Sequence, residues 1–491
     1  MQTLPPVSNW SGNLSRRELV VLILLFAASL PAVTARLYSS DEIQYFSYLR
    51  SLWFDHDVSF ENEYRYFYDR HIAQSAGFHE TFLEQQTAAG RRKNYGTMGC
   101  AVLWAPFYAI GDVTARVMRA SGRNVAVDGF SKPYIAAVAY GSAVLGFASI
   151  LLAIVAARQL TGRAGAIAAG VAVWLGTPLL FYMYVAPPFS HACSAFAVAL
   201  FVTVWLQVRN EWRVPGVVAL GLCGALMAMV REQDILFVAG PAVDFGLTAV
   251  RGRFDTGRSP NDTGRMVTAG LAGAAAFAVA YLPQLLAYNA LNGRPSPATD
   301  VQRKMTWYSP HGLQVLASPE HGFLFWTPLA VLALAGLVVL AAGRTRELRL
   351  KPDTAAIADR RRIGACLLLM AGLQIYISGA VESWTVAGAF GQRRFVCLTI
   401  VLVIGLAALL SSVSHVPRRA VIVLAVLAAW WNIALMVEFS TQLMDRQRIE
   451  LRKNAYDAFV TIPRMAPGLA YRYLTERETF YKPRPANGAD R

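Results

Sequence analysis

Long apolar runs separated by short polar segments dominate the sequence. Eleven of these runs approach or exceed the length of roughly 17 to 25 residues that a helix needs to cross a membrane. They cover residues 19–35, 134–156, 165–185, 190–208, 215–230, 234–250, 266–288, 322–342, 363–380, 395–412 and 419–438. A further run, 96–110, contains two glycines and a central Pro106, which do not favour a span. The pattern predicts an all-α polytopic membrane protein of about eleven spans.

The distribution of basic residues predicts the orientation of these spans. If the run 96–110 lies in the membrane interface, the short segments on the side of the N-terminus carry nineteen Lys and Arg residues, and those on the other side carry six. If that run crossed the membrane, every later loop would change sides and most of the clusters would lie outside. Because cytoplasmic loops hold the excess of positive charge, we predict that the run does not cross and that the N-terminus is cytoplasmic.

This orientation divides the chain into regions. We expect a transmembrane domain over residues 1–438, with a long outer loop over 36–133 and a second outer loop over 289–321. The C-terminal tail, 439–491, is expected on the outer face. The protein is therefore predicted to be a multi-pass protein of the cell inner or plasma membrane, with its functional face outside the cytoplasm.

The composition agrees with a membrane protein and excludes other classes. Of 491 residues, 55% are hydrophobic and 16% are charged, and the mean hydropathy is +0.37. The net charge of +15 comes from clusters between apolar runs, so we predict no nucleic-acid partner. The five cysteines have no metal-ligand spacing and lie in apolar segments, which predicts small buried side chains. The first run could also be a signal peptide cleaved after "VTA", but an uncleaved helix is favoured because many spans follow.

Two adjacent carboxylates, Asp41 and Glu42, follow the first predicted span directly. The apolar residues after them recur at the spacing of an amphipathic helix lying on the membrane surface: Ile43, Phe46, Leu49 and Trp53. One interpretation of the acidic pair is local, because Ser40 could cap this helix and acids in a first turn complement the helix dipole. The other interpretation, that the pair is chemically active, depends on what else lies on the outer face.

Several cationic or aromatic side chains are expected at the membrane boundary on that face. They are Lys93, Tyr95, His191, Arg231, His321, Arg393 and Arg394. A single arginine at a helix end is usually an anchor at the interface, and a single histidine is usually just hydrogen-bonded. A group of cations on the face that should be depleted of them instead predicts a pocket for an anion, and a lipid phosphate fits that description.

Four stretches in this order resemble one enzyme family. They are "DEIQY" after the first span, "KNYGTMGCAVLWAPFY", the paired spans from "ILLAIVAARQL" to "APPFSHACSAF", and "GALMAMVREQDILFV". Together they resemble the GT-C fold glycosyltransferases that use polyprenyl-phosphate sugars, in the branch of protein O-mannosyltransferases and lipid A aminoarabinose transferases. The resemblance covers roughly residues 15–250, and "HGFLFWTP" and "FGQRRF" are similar to bacterial members.

This resemblance implies a GT-C-like helix bundle with juxtamembrane helices in the first outer loop, and an inverting transferase. Asp41 would be the catalytic base, with Glu42 beside it to position the acceptor or to tune the local electrostatic field. The donor phosphate would be bound by Lys93, Tyr95 and Arg231, with further contacts from the other cations: His191, His321, Arg393 and Arg394. The partners implied are a polyprenyl-phosphate-sugar donor and a protein, lipid or glycan acceptor.

Several features of the sequence leave alternatives open. Where relatives often carry a second outer carboxylate, this chain reads Ser190-His191-Ala192, so His191 becomes a candidate phosphate contact. No cofactor is predicted, although "FDHD", ending in Asp55 to Asp57, leaves a divalent cation possible. A transporter or lipid flippase is the main alternative function. The few ionisable residues in mid-span, the lack of an inverted repeat and the large outer loop rich in aromatic residues argue against it. If Asp41 is not the base, the acids of the other outer loops are the next candidates: Asp300, Glu320 and Glu382.

Overall fold

The computed structural model describes residues 14–254, 260–344, 354–386, 388–412 and 418–476. Over these ranges the chain is almost entirely helical, and extended pairing is limited to two isolated bridges, Gln86–Arg92 and Met305–Val381. The predicted all-α class is therefore confirmed. Two parts of the sequence-based prediction, the basic residues between 346 and 351 and the end of the tail from 477, lie outside the described residues.

Helices occupy each of the eleven predicted spans. Within the described residues, seven helices are long and apolar enough to cross a membrane: Lys132–Thr161, Ser190–Val208, Glu232–Val250, Gly264–Asn292, Thr354–Ala380, Arg393–Leu410 and Arg418–Thr441. Three shorter apolar helices fall in predicted spans, namely Gly165–Gly176, Val214–Val230 and Leu329–Ala341, and Arg16–Ser29 occupies the first. A multi-pass membrane protein follows from these helices, whereas the count of eleven and the orientation stay predictions.

The run 96–110 belongs to a longer helix, Gly99–Ala120, which is not among the candidate spans. One side of this helix packs Trp104 and Tyr108 into the protein, and the other side exposes Ile110 and Val113. Its second half is charged, and Asp112 accepts a hydrogen bond of 2.6 Å from the Tyr134 hydroxyl. The helix therefore combines an exposed apolar stripe with a polar end, as the interfacial interpretation requires.

The helix that contains the acidic pair, Ser40–Arg50, differs from the prediction in two respects. Its N-cap is Ser39, whose side chain accepts from the Glu42 backbone, so the prediction of Ser40 as the cap was wrong. Ile43 and Phe46 are buried as expected, but polar residues on its other faces are buried as well. Helices Glu61–Asp69 and Gly99–Ala120 pack against it, so it lies inside the first loop rather than open on a membrane surface.

Ion pairs mark one end of the helix bundle. Arg209 contacts the fully buried Asp244 at 2.8 Å and also Asp359 at 2.7 Å. Arg209 follows the last residue of the helix Ser190–Val208, and His191 lies near its first residue, so the two are separated by about 27 Å at 1.5 Å per residue. Residues predicted on the cytoplasmic side thus meet at one end of this helix, and those predicted on the outer side meet at the other.

Shorter helices complete the two ends of the bundle. They are Glu61–Asp69, Leu179–Tyr184, Thr299–Arg303, Gly312–Ala317, Phe323–Trp326, Leu451–Tyr456 and Ile462–Thr475. The C-terminal segment packs on the bundle, because the Trp430 indole donates to Ala458 O at 3.0 Å and the Tyr473 hydroxyl donates to Ala32 O at 2.9 Å. The described cysteines carry no disulfide, and all are buried except the half-buried Cys223, as predicted.

Candidate functional site

Asp41 and Arg393 form an ion pair, with 2.8 Å between Asp41 Oδ2 and Arg393 Nη1. Asp41 lies in the first turn of the helix Ser40–Arg50, and Arg393 begins the helical segment that leads into Thr399–Leu410. Their side chains are 39% and 23% exposed, so the pair lines a surface that a ligand can reach. The Arg393 guanidinium also lies over the Phe189 ring, 5.4 Å from its centroid.

A glycine turn sets the position of Arg393. Gly391 has a φ of 61°, and a Cβ added there would lie 2.7 Å from Pro178 Cγ, so a larger residue would be both strained and crowded. The next residue, Gln392, is fully buried and donates from Nε2 to Trp384 O at 2.9 Å. The guanidinium of Arg393 therefore extends from a rigid turn.

Arg231 ends the helix Val214–Val230 and reaches the first turn of the neighbouring helix. Its Nη1 donates to Ser190 Oγ at 3.2 Å and to His191 Nδ1 at 3.2 Å. Because a guanidinium can only donate, Nδ1 is the acceptor, and the proton of a neutral His191 is on Nε2. Among the described residues, Arg231 Nε is buried without a hydrogen-bond partner, which leaves one donor of this group unsatisfied.

The third cation, Arg394, donates to the Ser383 carbonyl at 3.0 Å and to the Ser383 hydroxyl at 3.3 Å. The charges of Arg393, Arg231 and Asp41 all act on it. We call Arg231, Arg393 and Arg394 the arginine cluster. Arg393 contacts Asp41, and the charges of Arg231 and Arg393 both act on Arg394, so this end of the bundle carries an excess of positive charge that suits an anionic ligand.

A close backbone approach joins the first loop to this cluster. The Thr97 hydroxyl donates to Val230 O at 2.9 Å, and a Cβ added at Gly99 would lie 2.3 Å from Val230 N. Only glycine allows the start of the helix Gly99–Ala120 to contact the residue before Arg231 so closely. Gly99 therefore sets how closely this segment approaches the backbone next to Arg231.

One buried acid near the cluster was missed by the sequence analysis. Asp234 accepts a hydrogen bond of 2.6 Å from Ser194 Oγ, and its charge interacts with that of Arg231. Its backbone N–H donates to Arg231 O at 3.0 Å, so the two residues share one turn. The string "VREQD" contained the signal, because an acid three residues after a predicted phosphate ligand can hold that ligand in place.

Glu42 points into the protein and caps its own helix. Its Oε2 accepts from the backbone N–H groups of Tyr38 and Ser39, both at 3.0 Å. Burial raises the pKa of the Glu42 carboxyl to about 8. These contacts are with backbone, and the predicted role of Glu42 in positioning an acceptor has no support from them.

Lys93 and Tyr95 form a separate group with Asp300. Lys93 Nζ lies 2.6 Å from Asp300 Oδ2 and 2.8 Å from Gln85 Oε1, and the Tyr95 hydroxyl donates to the same aspartate at 3.2 Å. The hydrogen bond from Lys93 lowers the pKa of Asp300. The structure therefore does not bring Lys93 into contact with the arginine cluster, although the Tyr95 N–H donates to Gln44 in the Asp41 helix at 2.7 Å.

His321 lies behind Arg393. Its ring stacks on Trp326 with 4.9 Å between centroids, and Nε2 lies 3.0 Å from Ala389 O. Burial lowers the pKa of this imidazole, and the charge of Arg393 acts on it in the same direction. His321 is thus close to the cluster but is fully buried, so its contacts are those of a supporting residue.

The comparisons with known proteins give one similar structure. No family model matches the chain, and no curated protein matches it. The fold is similar to the crystal structure of ArnT from Cupriavidus metallidurans bound to undecaprenyl phosphate, at 13% sequence identity and a TM-score of 0.45. The similarity covers 94% of this chain and 72% of that one.

Proposed function

We propose that the chain is a membrane glycosyltransferase that moves a sugar from a polyprenyl-phosphate donor to an acceptor outside the cytoplasm. The observation that carries the proposal is the pairing of Asp41 with Arg393 beside two further arginines. A transferase of this kind needs a carboxylate to accept a proton and cations to hold a departing phosphate. The motifs that resemble the GT-C family contain Asp41 and Arg231 themselves.

The predicted location of the site, outside the cytoplasm, favours a lipid-linked donor. Outside the cytoplasm, nucleotide sugars are not supplied, so the activated sugar must arrive attached to a membrane lipid. Asp41 follows the first membrane helix, and Arg231 and Arg393 lie at the ends of others, which is the depth of a lipid phosphate. The ArnT structure described above contains undecaprenyl phosphate, which is a lipid of this class.

Each residue then has a distinct proposed role. Asp41 takes the proton of the acceptor hydroxyl or amine, and a single displacement inverts the anomeric carbon. The arginine cluster holds the phosphate, with the unsatisfied Arg231 Nε among its donors. His191 Nε2 offers one further donor. Lys93 could join only after leaving Asp300, so its role as a phosphate ligand depends on a movement of the second outer loop.

The experiment that tests this proposal is lipid analysis of a deletion strain. A strain without this protein should accumulate one polyprenyl-phosphate sugar, and mass spectrometry of the lipid extract would identify it. Expression of the wild-type chain or of Asp69→Asn, an exposed acid in the same loop, should clear that lipid. Asp41→Asn at equal expression should not.

Two results would contradict the proposal. Clearance by Asp41→Asn would remove the base from the mechanism. Accumulation of an unmodified lipid on the cytoplasmic leaflet, with no change in any sugar-bearing lipid, would favour the flippase instead.

A further inference from the structure

We infer that Arg393 changes partners during the transfer: it holds Asp41 while that carboxylate is ionised, and it holds the leaving phosphate once Asp41 has accepted the proton. This inference rests on the proposed function and adds a coupling between the base and the phosphate site. It makes Arg393 a positioning residue for Asp41 before the reaction and a phosphate ligand afterwards.

The three arginines differ in what holds them. Arg231 is held by the Ser190 hydroxyl and the His191 imidazole, and Arg394 is held by Ser383. These partners are neutral and do not change in the reaction. Arg393 instead contacts the carboxylate of Asp41, which is the group that the reaction would neutralise. It is therefore the member of the cluster whose binding partner depends on the progress of the transfer.

The charges balance through this exchange. A bond forms between the acceptor oxygen or nitrogen and the anomeric carbon, and the bond from that carbon to the phosphate oxygen breaks. The electron pair of the broken bond stays on the phosphate, which changes from a singly charged diester to a monoester with up to two negative charges. The acceptor proton moves to Asp41, which becomes neutral. One negative charge thus moves from the carboxylate to the phosphate, and a guanidinium between them follows it.

The other charged groups around Asp41 keep their state through the reaction. The charge of Asp234 interacts with that of Arg231, and its carboxylate accepts a hydrogen bond from Ser194 Oγ. Glu42 is enclosed in the helix cap. Tyr45 lies in the same helix as Asp41. Burial raises the pKa of its hydroxyl to about 12, so the side chain stays neutral. Tyr182, in the short helix Leu179–Tyr184, also lies near the charged pair, and its hydroxyl donates to Phe390 O at 3.1 Å. The exchange therefore involves Asp41 and Arg393.

An asparagine at position 41 tests the idea without any turnover, because it has the shape of the aspartate and the charge of its protonated form. We expect Asp41→Asn to bind undecaprenyl phosphate about 10-fold more tightly than the wild type, since Arg393 is released to the phosphate; tenfold corresponds to 1.4 kcal/mol. The measurement is equilibrium binding of radiolabelled undecaprenyl phosphate to the full chain in lipid nanodiscs. Undecaprenol, which has no phosphate, is the control ligand.

A double-mutant cycle separates this mechanism from general electrostatics, because loss of any nearby negative charge strengthens anion binding somewhat. In an Arg393→Gln background, Asp41→Asn should give no further gain. In an Arg394→Gln background, the gain should persist. An equal gain in both backgrounds would overturn the inference.

The failures of the inference and of the proposed function are distinguishable. If the folded wild type does not bind undecaprenyl phosphate, the proposed function itself fails. If the wild type binds and Arg231→Gln weakens binding, but Asp41→Asn gives no gain, the partner exchange alone is wrong. Asp41→Ala serves as a second variant if Asp41→Asn does not fold, and it should show the same gain.

Discussion

Arg231 Nη1 donates to His191 Nδ1 across 3.2 Å, and this contact joins the ends of two helices that are neighbours in the bundle. Because the arginine occupies Nδ1, the imidazole presents Nε2–H as its remaining donor. His191 is therefore held with Nε2–H free to donate to a ligand, and a neutral donor at this position is compatible with a phosphate.

The contact predicts that Arg231 contributes to anion binding through charge and geometry together. We expect Arg231→Gln to weaken binding of undecaprenyl phosphate by about 10- to 100-fold, the range of a charge-assisted hydrogen bond. Arg294→Gln, which removes an outer cation bonded to Pro297 O, should change binding little and is the matched control. Equal affinities of the two variants would exclude Arg231 from the phosphate site.

Asp41→Asn should reduce turnover by roughly 10²- to 10⁴-fold, the usual contribution of a general base. If Asp41 served its helix alone, the same variant would be nearly silent, since a dipole interaction is worth about 0.3–1 kcal/mol. Single-turnover transfer by purified protein, using the donor identified from the deletion strain, measures the difference. If the activity of Asp41→Asn is within a few-fold of that of Asp69→Asn, Asp41 serves only to stabilise its helix and is not the base.

Glu42 predicts a pH dependence of stability with a definite sign. Burial raises the pKa of its carboxyl from 4.5 to about 8, so between these values the folded state binds more protons than the unfolded state. Stability should therefore fall as the pH rises from about 5 to 8. Glu42→Gln keeps a hydrogen-bond acceptor for the cap and removes the titration. The thermal midpoint of this variant, relative to that of the wild type, should therefore increase as the pH rises. A constant difference between the two proteins from pH 5 to 8 would contradict this role.

The buried ion pairs at the other end of the bundle predict a large loss of stability. Asp244 accepts from the Trp205 indole and from Arg209 and has no solvent exposure. Asp244→Asn removes the buried one of the two carboxylates that Arg209 contacts, which costs about 3–5 kcal/mol. Asp359→Asn, whose carboxylate is more exposed, should cost less. Thermal unfolding in detergent measures both, and equal midpoints would show that Asp244 is not a central partner.

The orientation is tested by cysteine labelling in a cysteine-free background. An impermeant thiol reagent applied to intact cells should modify Ser296→Cys and spare Arg213→Cys, whose native side chain is exposed on the predicted cytoplasmic side. Labelling of Arg213→Cys from outside would reverse the orientation and place the arginine cluster in the cytoplasm.

The sequence by itself determined the helical class and the positions of the membrane helices. Each apolar run forms its own backbone hydrogen bonds, and a membrane imposes one length on all of them, so local information is sufficient. The sequence also contained the capping signal Ser39-x-x-Glu42, which distinguishes Ser39 from Ser40 because the residue three positions after Ser40 is Ile43.

Tertiary structure decided which polar residues meet. Most of the sequence separates Asp41 from Arg393, and Lys93 and Asp300 are 207 positions apart, so no local pattern could pair them. In the sequence, Lys93 and the arginines are equivalent as cations predicted at the membrane boundary. In the structure, Asp300 of the second loop pairs with Lys93, and Asp41 of the first loop pairs with Arg393. Two charged residues at helix ends form an ion pair only if they lie close together, and the packing of the helices sets that distance.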